Sequence, residues 1–509
     1  MIASMPAYRP INKGRKIDIA FLFQAGTVWP SWESVYRVCI KDGLFNVRLI
    51  LITDITVEAS HNLGAEKFLI ENGISYEKAE DIDFDEYVPH IAVVQFPYDA
   101  AFHTPDMLSL QLRNRGSRVV YIPYGIEISD TMVARKDHFY SRVVENAWRI
   151  YTSSEGIREE YRKYCRNRSA VRVTGSPKFD SIHDREGFAL NSEYIRKASG
   201  RKIVVWKIHF PKKNNVGGKA VMITPDIGEY LKFAKIMDRY EDLFFILMPH
   251  PKILGKMTES DSQGDESMIR DMRLLIDTVD SKNNAVIDIS KDYRSSLYNA
   301  DAIVMDRSAV MVEAAMLDVP VLIMQNSDYE EPMTKPVQDV VDSCLKGSIC
   351  EDIVGFLDAF CSDDRSKLKD RKAVIDKWFP FLDGKCGERI ARDMFESIYG
   401  EDVERLPRVV LYGTGEVASY YMKEQDWSNP RDFEIVSVCD SNESKQGTDY
   451  YGYSVCPPSA ICETEFDYIV VMTEPHFYDI QNSLVYELYI DDRKILRLDE
   501  FITYILGNR

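Results

Sequence analysis

The chain has 509 residues, of which 45% are hydrophobic and 28% are charged, and its net charge is −18 at pH 7. At ~150 residues per domain, this length predicts about three globular domains. The negative charge argues against a nucleic-acid partner, because phosphate affinity depends on clustered Lys and Arg. The nine cysteines show no C-x-x-C spacing, so we expect reduced thiols in a cytoplasmic protein with no metal site of the zinc type.

Neither a signal peptide nor a membrane span is visible in the sequence. The first residues, M-I-A-S-M-P-A-Y-R-P, lack an apolar core, and no apolar run approaches the ~18 residues of a span. We therefore expect any membrane association to be peripheral, at the inner face of the cell membrane.

Apolar strands alternate with helices along the first part of the chain, which predicts a parallel, doubly wound sheet. We assign this first half to residues 1–190, with a helix from Trp32 to Lys41 between its first two strands. The predicted strands are residues 17–25, Val47–Thr53, Ile91–Phe96, Val119–Ile122, Ile150–Thr152 and Val171–Thr174.

A second α/β series begins after residues 185–200 and predicts a second half, residues 191–400. Residues 365–400 are predicted to be helical, and their aromatic residues Trp378, Phe379 and Phe381 should pack back on the two halves. The predicted strands are Lys202–Trp206, Phe244–Met248, Ala285–Ile287, Ala302–Met305 and Val321–Met324.

Residues 405–509 predict a third, Rossmann-like accessory domain with strands at Val409–Tyr412, Phe433–Val438 and Tyr468–Met472. The turn Gly413-Thr414-Gly415 stands between a strand and a helix. Asp440 follows this turn at about the sequence separation at which an acidic residue binds ribose hydroxyls in nucleotide-binding folds. Gly413, Gly415 and Asp440 therefore predict an accessory nucleotide site. The alternative is that the glycines serve only close helix–strand packing.

The turn Asp306-Arg307-Ser308 connects a strand to a helix predicted from about Ala309 to Leu317. Such a turn is an anion site, because free N–H groups and the helix dipole point at it. Ser308 suits a helix cap, Arg307 can bind two phosphate oxygens, and Glu313 could accept from ribose hydroxyls. The alternative is an ordinary βαβ unit with a capped helix.

Further polar residues follow other predicted strands, where open α/β sheets bind ligands. Lys207 and His209 follow the first strand of the second half, and His250 follows the next one between two prolines. In the first half, Asp99 and Tyr124 occupy corresponding positions. For each histidine, the alternative is a hydrogen-bonded structural residue of a loop.

Three motifs resemble those of the CDP-glycerol glycerophosphotransferases, which make teichoic-acid and related capsular polymers. Val173–Asp180 resembles the family's G-x-P-R-x-D, Met248–Pro251 resembles R-P-H-P, and Met305–Ala309 resembles T-D-Y-S-S. Asp318–Val321 fits the proline and apolar strand that follow in the family. The resemblance covers residues 85–395.

The resemblance implies a GT-B fold, with two Rossmann-like halves facing a cleft and the donor nucleotide on the second half. It implies transfer of glycerophosphate from CDP-glycerol to a glycan or polyol-phosphate acceptor, which can be lipid-linked, with release of CMP. The resemblance implies a reaction that requires no cofactor and that can involve a divalent cation. The donor-binding residues expected on this basis are Lys207, Asp306, Arg307, Ser308, Ala309, Glu313, Gly175, Ser176 and Lys178.

The chain departs from the family pattern at the suspected general base. His250 matches the histidine of R-P-H-P, but the histidine of the family's W-H-G motif aligns with Tyr124. Asp99 or His209 could substitute, so the catalytic candidates are His250, His209, Asp99 and Tyr124. Two alternatives stay open: a GT-B glycosyltransferase using a nucleotide sugar, and a non-catalytic partner that retains the fold.

Overall fold

The computed structural model contains three sheets whose strands are mainly parallel, which confirms the predicted α/β fold class. Two compact units are present. The larger unit holds the first two sheets and consists of Gly14–Arg113 and Ser117–Asp393. The smaller unit holds the third sheet and consists of Met1–Lys13, Asn114–Gly116 and Met394–Arg509. The structure describes residues 8–11, 15–52, 64–99, 105–165, 167–211, 213–216, 219–250, 253, 266–290, 292–308, 310–363, 371–399, 407–428, 430 and 433–506.

The first sheet is parallel and has seven strands in the order β3-β2-β1-β4-β5-β6-β7. Its central strands are apolar on both faces, as a sheet covered by helices on both sides requires. The strands are β1 (Ile17–Phe23), β2 (Phe45–Leu51), β3 (Glu77–Lys78), β4 (Ile91–Val94), β5 (Arg118–Tyr121), β6 (Arg149–Thr152) and β7 (Val171–Val173).

Serine caps fix the starts of two helices in this half. The Oγ atoms of Ser141 and Ser154 each accept a hydrogen bond at 3.3 Å from the backbone N–H three residues later. The helices of the first half are Glu33–Lys41, Ala65–Glu71, Ser109–Asn114, Met132–Ala134, Arg142–Asn146, Glu155–Tyr164 and Pro177–His183, and the helix Ser192–Ala198 lies beyond residue 190, before the first strand of the second half.

The second sheet is also parallel, with six strands in the order β12-β11-β8-β13-β14-β15. An antiparallel hairpin, β9 with β10, follows its first strand and was not predicted. The strands are β8 (Lys202–Ile208), β9 (Lys213–Val216), β10 (Lys219–Met222), β11 (Leu243–Pro249), β12 (Ala285–Ile287), β13 (Ala302–Asp306), β14 (Val321–Met324) and β15 (Leu345–Gly347).

The prediction that residues 365–400 are helical is confirmed by two helices, Lys372–Trp378 and Cys386–Tyr399, which a break separates. Pro380 has no N–H to donate, and Gly384 adopts a left-handed φ of +70°. Residues 365–370 and 400 lie outside the described residues. The helices of the second half are Ile227–Ile236, Glu266–Asp280, Arg294–Leu297, Met311–Met316, Lys335–Asp342, Cys350–Cys361, Lys372–Trp378 and Cys386–Tyr399.

The two halves share one hydrophobic core. A single buried cluster contains Leu22 and Tyr121 from the first sheet together with Phe244 and Ile303 from the second. Phe379 is fully buried in the same cluster, 5.7 Å from the Phe179 ring, which confirms that this aromatic residue packs back on the halves. The shared core holds the two sheets in a fixed relation.

The third sheet has six strands in the order β18-β19-β17-β16-β20-β21, parallel except for the β18–β19 pair. Its helices are Glu416–Glu424, Phe477–Tyr486 and Leu498–Glu500. The strands are β16 (Arg408–Tyr412), β17 (Glu434–Cys439), β18 (Asp449–Tyr450), β19 (Tyr453–Cys456), β20 (Tyr468–Val471) and β21 (Ile495–Arg497).

Candidate active site

The strand order of the second sheet reverses between β8 and β13, and the carboxyl ends of these two strands form a crevice of the kind that binds ligands. His209 directly follows β8, and Asp306 ends β13. The backbone N–H of His209 donates to Asp306 Oδ2 at 2.8 Å. Two of the predicted strand-end groups are therefore joined at the switch point.

His250 stands beside His209 at the same edge. The two imidazole rings lie 4.6 Å apart, and the Phe210 ring lies 4.2 Å from His209 and 4.9 Å from His250. His209 Nδ1 lies 2.8 Å from the Phe210 carbonyl oxygen. A carbonyl only accepts, so this contact places a proton on Nδ1 and makes Nε2 the acceptor nitrogen of the neutral ring.

Lys207 and Asp306 are buried beneath this edge. Burial raises the pKa of Asp306 to about 7, opposed by the His209 N–H and the charge of Lys207. Burial likewise lowers the pKa of Lys207 to about 8, opposed by the charges of Asp306 and Asp288. Asp306 Oδ1 is buried without a hydrogen-bond partner, as expected at a functional site rather than in an ordinary core.

The helix after β13 begins later than predicted. It spans Met311–Met316 with Val310 at the N-cap, and no side chain caps it, so the prediction of Ser308 as the cap is wrong. The Met311 N–H bonds to the Ser308 carbonyl at 3.1 Å, and this tight turn delays the helix. Ala309, a predicted donor-binding residue, lies outside the described residues.

Arg307 connects the two halves. Its guanidinium donates to the Ser129 hydroxyl of the first half and forms an ion pair with Glu331. The Glu331 loop itself pairs with the first half, since the Asp130 N–H donates to the Pro332 carbonyl at 2.9 Å. Arg307 therefore stands where the two halves meet.

Glu313 and Lys178 bind each other across the halves. Lys178 Nζ lies 2.6 Å from Glu313 Oε1, and the Tyr293 hydroxyl donates to Glu313 Oε2 at 2.5 Å. Glu313 is fully buried. Its predicted contact with a ribose stays a prediction.

A cavity of about 240 Å³ lies between the halves at this edge. Both halves contribute to its wall, so it has the position that the two-half interpretation predicts for a reaction site. The lining residues are Tyr121, Tyr124, Gly125, Ile126, Glu127, Ile128, Ser129 and His138 from the first half, and His209, Ile223, Thr224, Arg307, Ser308 and Glu331 from the second.

On the first-half wall, Tyr124 belongs to an aromatic group with Tyr98 and His138. The two tyrosine hydroxyls lie 2.7 Å apart, and the rings of Tyr98 and Tyr124 lie 6.0 and 6.2 Å from the His138 ring. Burial raises the pKa of Tyr124 well above 10.0. Tyr124 therefore stays protonated at neutral pH and cannot accept a proton there. His138 was not predicted, because it follows no strand end.

Asp99 serves the fold in this structure. Its carboxylate accepts hydrogen bonds from the backbone N–H of Ser109, at 2.8 Å, and from the Ser109 hydroxyl, at the start of the helix Ser109–Asn114. The carboxylate is buried, and the wall of the cavity described above does not include it. The expectation that Asp99 substitutes for the missing base is therefore not supported by its position.

The motif Gly175–Asp180 anchors the last helix of the second half. Gly175 has φ +89°, and a Cβ there would lie 2.8 Å from Phe381 Cβ. The Asp180 carboxylate accepts from the N–H groups of Cys386 and Gly387, both at 2.9 Å. Gly175 and Ser176 are absent from the described cavity wall, so their donor-binding role stays a prediction.

In the third sheet, Asp440 closes the glycine turn. Its Oδ2 accepts from the Thr414 N–H at 2.9 Å, from the Thr414 hydroxyl at 2.5 Å and from Lys445 Nζ at 3.1 Å. Gly413 has φ +103°, and the space where a Gly415 Cβ would lie is open. The accessory nucleotide site stays a prediction, and a ribose would compete with these protein donors for Asp440.

Among the residues that the structure describes, no group of three or more His, Cys, Asp and Glu side chains could hold a metal ion. The divalent cation that the resemblance allows stays an expectation. No helix in the described part of the chain is long and apolar enough to cross a membrane.

Two Rossmann-like sheets with a cavity between their facing strand ends define a protein of the GT-B class. The chain belongs to the CDP-glycerol:poly(glycerophosphate) glycerophosphotransferase family of enzymes, whose model matches residues 123–396, more than half of the chain. A second family model, described as C2185-like, N-terminal, matches residues 406–496. A comparison with curated protein sequences gives no match.

Two solved structures with TM-scores above 0.5 show the same fold at low sequence identity. The UDP-GlcNAc 2-epimerase from Neisseria meningitidis bound to UDP-GlcNAc is 12% identical, with TM-score 0.52 over 75% of this chain and 100% of that chain. The S. aureus MnaA–UDP structure is 14% identical, with TM-score 0.52 over 76% and 97%. The wall teichoic acid polymerase TagF soaked with CDPG is 14% identical, with TM-score 0.48 over 77% and 90%.

Proposed function

We propose that this enzyme transfers a glycerophosphate unit from CDP-glycerol to a hydroxyl of a cell-surface glycan or teichoic-acid-like acceptor, releasing CMP. The observation that carries the proposal is the shared cavity wall, where Arg307, Ser308 and His209 from the second half face the first half. Family membership supplies the donor class, and this wall supplies groups suited to a phosphate.

The reaction requires little covalent chemistry from the protein. The acceptor oxygen attacks the phosphorus that carries glycerol, and the bond from that phosphorus to the CMP oxygen breaks. Positioning and electrostatic stabilisation of the phosphoryl group then supply most of the rate enhancement. The cavity volume of about 240 Å³ suits the reacting phosphate and hydroxyl, and is below the ~300–1,000 Å³ of sites for whole drug-sized ligands.

Arg307 and Ser308 would hold the phosphates. A guanidinium has five N–H donors, so Arg307 can bind a phosphate while retaining part of its contacts with Ser129 and Glu331. The buried ammonium of Lys207 adds positive charge beneath the same edge. His250, next to His209, would donate to a phosphoryl oxygen or to the leaving CMP.

The acceptor is expected at the first-half wall, opposite the phosphate-binding groups. A lipid-linked acceptor would bring the enzyme to the inner face of the cell membrane through the acceptor itself. This expectation requires no membrane-spanning helix.

A nucleotide-release assay tests the proposal. The purified protein is incubated separately with CDP-glycerol, CDP-ribitol and UDP-sugars, with and without a glycerophosphate oligomer, and the released CMP or UDP is quantified. The proposal predicts CMP release from CDP-glycerol that depends on the acceptor. UDP release from a UDP-sugar would instead identify a glycosyltransferase, and CMP release that favours CDP-ribitol would correct the donor.

A further inference from the structure

The first-half wall of the cavity contains a histidine that none of the sequence motifs includes. We propose that His138 is the general base that accepts the proton of the acceptor hydroxyl. This role rests on the proposed transfer reaction and supplies the base that the sequence leaves unassigned at Tyr124. It follows from the position of His138 opposite the phosphate-binding side of the same cavity.

A rigid support holds His138 in place. It lies on the π-helical turn Arg135–Phe139. Phe139 is fully buried, with its ring 5.0 Å from that of Tyr161. Arg135 donates two hydrogen bonds to Asp130, at 2.8 and 3.0 Å. Both ends of the turn are thus fixed, as a group that must meet a reacting hydroxyl requires.

The aromatic pair Tyr98 and Tyr124 supports the imidazole from the side. Their hydroxyls lie 2.7 Å apart, and both rings lie within 6.2 Å of the His138 ring. His138 is half-buried, so it combines a fixed environment with access to the cavity. The family histidine is replaced by Tyr124, and the structure places an imidazole next to that tyrosine instead.

The other titratable groups on the wall are less suited to accept a proton. Glu331 forms an ion pair with Arg307. Glu127 is buried, and its carboxylate already accepts from the Tyr161 hydroxyl at 2.6 Å. Burial holds the pKa of Tyr121 well above 10.0, so this phenol remains protonated.

His209 is the second histidine on the wall, but it belongs to the opposite side. Its backbone N–H binds Asp306, and it stands at the end of β8 beside the phosphate-binding turn. This position suits a contact with the donor phosphates. His138 is therefore the imidazole that faces the side from which the acceptor must approach.

A ring nitrogen of His138 takes the hydroxyl proton while the acceptor oxygen forms its bond to the glycerol-bearing phosphorus. The bond from that phosphorus to the bridging oxygen breaks, and CMP leaves with the electron pair. The imidazolium then releases its proton to solvent, which restores the neutral base.

Substitution of His138 tests this role. His138→Ala is expected to lower acceptor-dependent CMP release by at least ~100-fold, the usual scale for a positioned base, while calorimetric affinity for CDP-glycerol changes less than ~3-fold. Added imidazole should restore turnover in this variant, because a small base can enter the vacated space. His138→Gln keeps the size of the side chain and should show the same loss of turnover. It therefore tests the role even if the alanine variant folds poorly.

The control is His183→Ala, which removes a histidine that is about half exposed and absent from the cavity wall, and it should leave turnover unchanged. Turnover near the wild-type value in folded His138→Ala would overturn the role, as would a loss that imidazole does not restore. If Glu127→Gln loses turnover while His138→Ala retains it, the general base is Glu127, and the proposed role of His138 is overturned. Absence of CMP release from the wild-type protein would instead reject the proposed function itself, and this role with it.

Discussion

At the residue scale, the proposed donor site depends on side chains that also make contacts within the protein. Arg307 binds Ser129 and Glu331, and Asp306 binds the His209 N–H. These contacts hold the groups in position before a phosphate arrives, which lowers the cost of ordering them on binding. Arg307, Asp306 and the neighbouring His250 each give a prediction.

Arg307→Ala should weaken binding of CDP-glycerol by about 1.5–3 kcal/mol, the range for hydrogen bonds to charged groups. Isothermal titration calorimetry measures the affinity, and Arg196→Ala, which removes an exposed arginine, is the matched control. An affinity equal to that of the wild type would remove Arg307 from the donor site.

His250→Ala should leave the melting temperature unchanged and lower turnover by at least ~100-fold, as expected for a positioned acid or base. Its ring packs beside those of His209 and Phe210 at the rim of the sheet, so its removal opens no deep core cavity. CMP release measured beside His183→Ala tests the prediction. Retained turnover in a well-folded His250→Ala would exclude the role.

Asp306 gives a pH-dependent prediction. Its pKa in the folded protein, about 7, is raised above its ordinary value of 3.8. The stabilising contribution of its protonated form is therefore fully present below pH 3.8 and is lost as the pH rises through about 7. Asp306→Asn retains an acceptor for the His209 N–H and does not ionise. We expect its melting temperature, relative to the wild type, to rise between about pH 5 and pH 7.

Calorimetric melting temperatures across that range check the prediction. Asp318→Asn, the same change at an exposed aspartate, should show no such trend. A constant difference between Asp306→Asn and the wild type would mean that Asp306 does not titrate in this range.

At the scale of elements, most strands could be predicted from the sequence, but the short strands β3, β15, β18, β19 and β21 and several connections could not. The predicted strands lie within two residues of those observed, because runs such as I-V-V-W in β8 are continuously apolar in a sheet covered on both faces. The hairpin β9–β10 was missed because K-N-N-V lacks that signal. His138 was missed because a histidine on a short π-helical turn carries no periodic signal, and only tertiary packing brings it to the cavity.

The motif Gly175–Asp180 shows how one pattern can serve packing instead of ligand binding. Gly175→Ala should destabilise the protein by about 2–4 kcal/mol, since it adds ~1 kcal/mol for a left-handed φ to ~1–3 kcal/mol for the contact with Phe381. Urea unfolding measures the change. Gly187→Ala, at a position with ordinary φ and no atom within 4 Å, is the control. Equal stability of the two variants would contradict the packing role.

At the scale of the whole molecule, all the described residues of the proposed site lie in the unit that carries the first two sheets. None of the described residues on the cavity wall belongs to the third sheet. We therefore propose that the accessory domain begins at residue 405 and is dispensable for donor binding. The net charge of −18 fits this picture, because positive charge is needed only locally at the phosphate site.

A chain that ends at Gly400 tests this division, because it retains the complete helix Cys386–Tyr399 that Asp180 anchors. We expect the shortened protein to fold and to bind CDP-glycerol with wild-type affinity in calorimetry. An insoluble protein, or a folded one without donor affinity, would make the third domain part of the donor site.

Mass spectrometry of the acceptor after incubation with CDP-glycerol tests the transfer of glycerophosphate most directly. We expect a series of products that differ by one glycerophosphate unit, with one CMP released per unit added, and loss of the series in His138→Ala and His250→Ala. An acceptor of unchanged mass, or one that gains a sugar from a UDP-sugar, would contradict it.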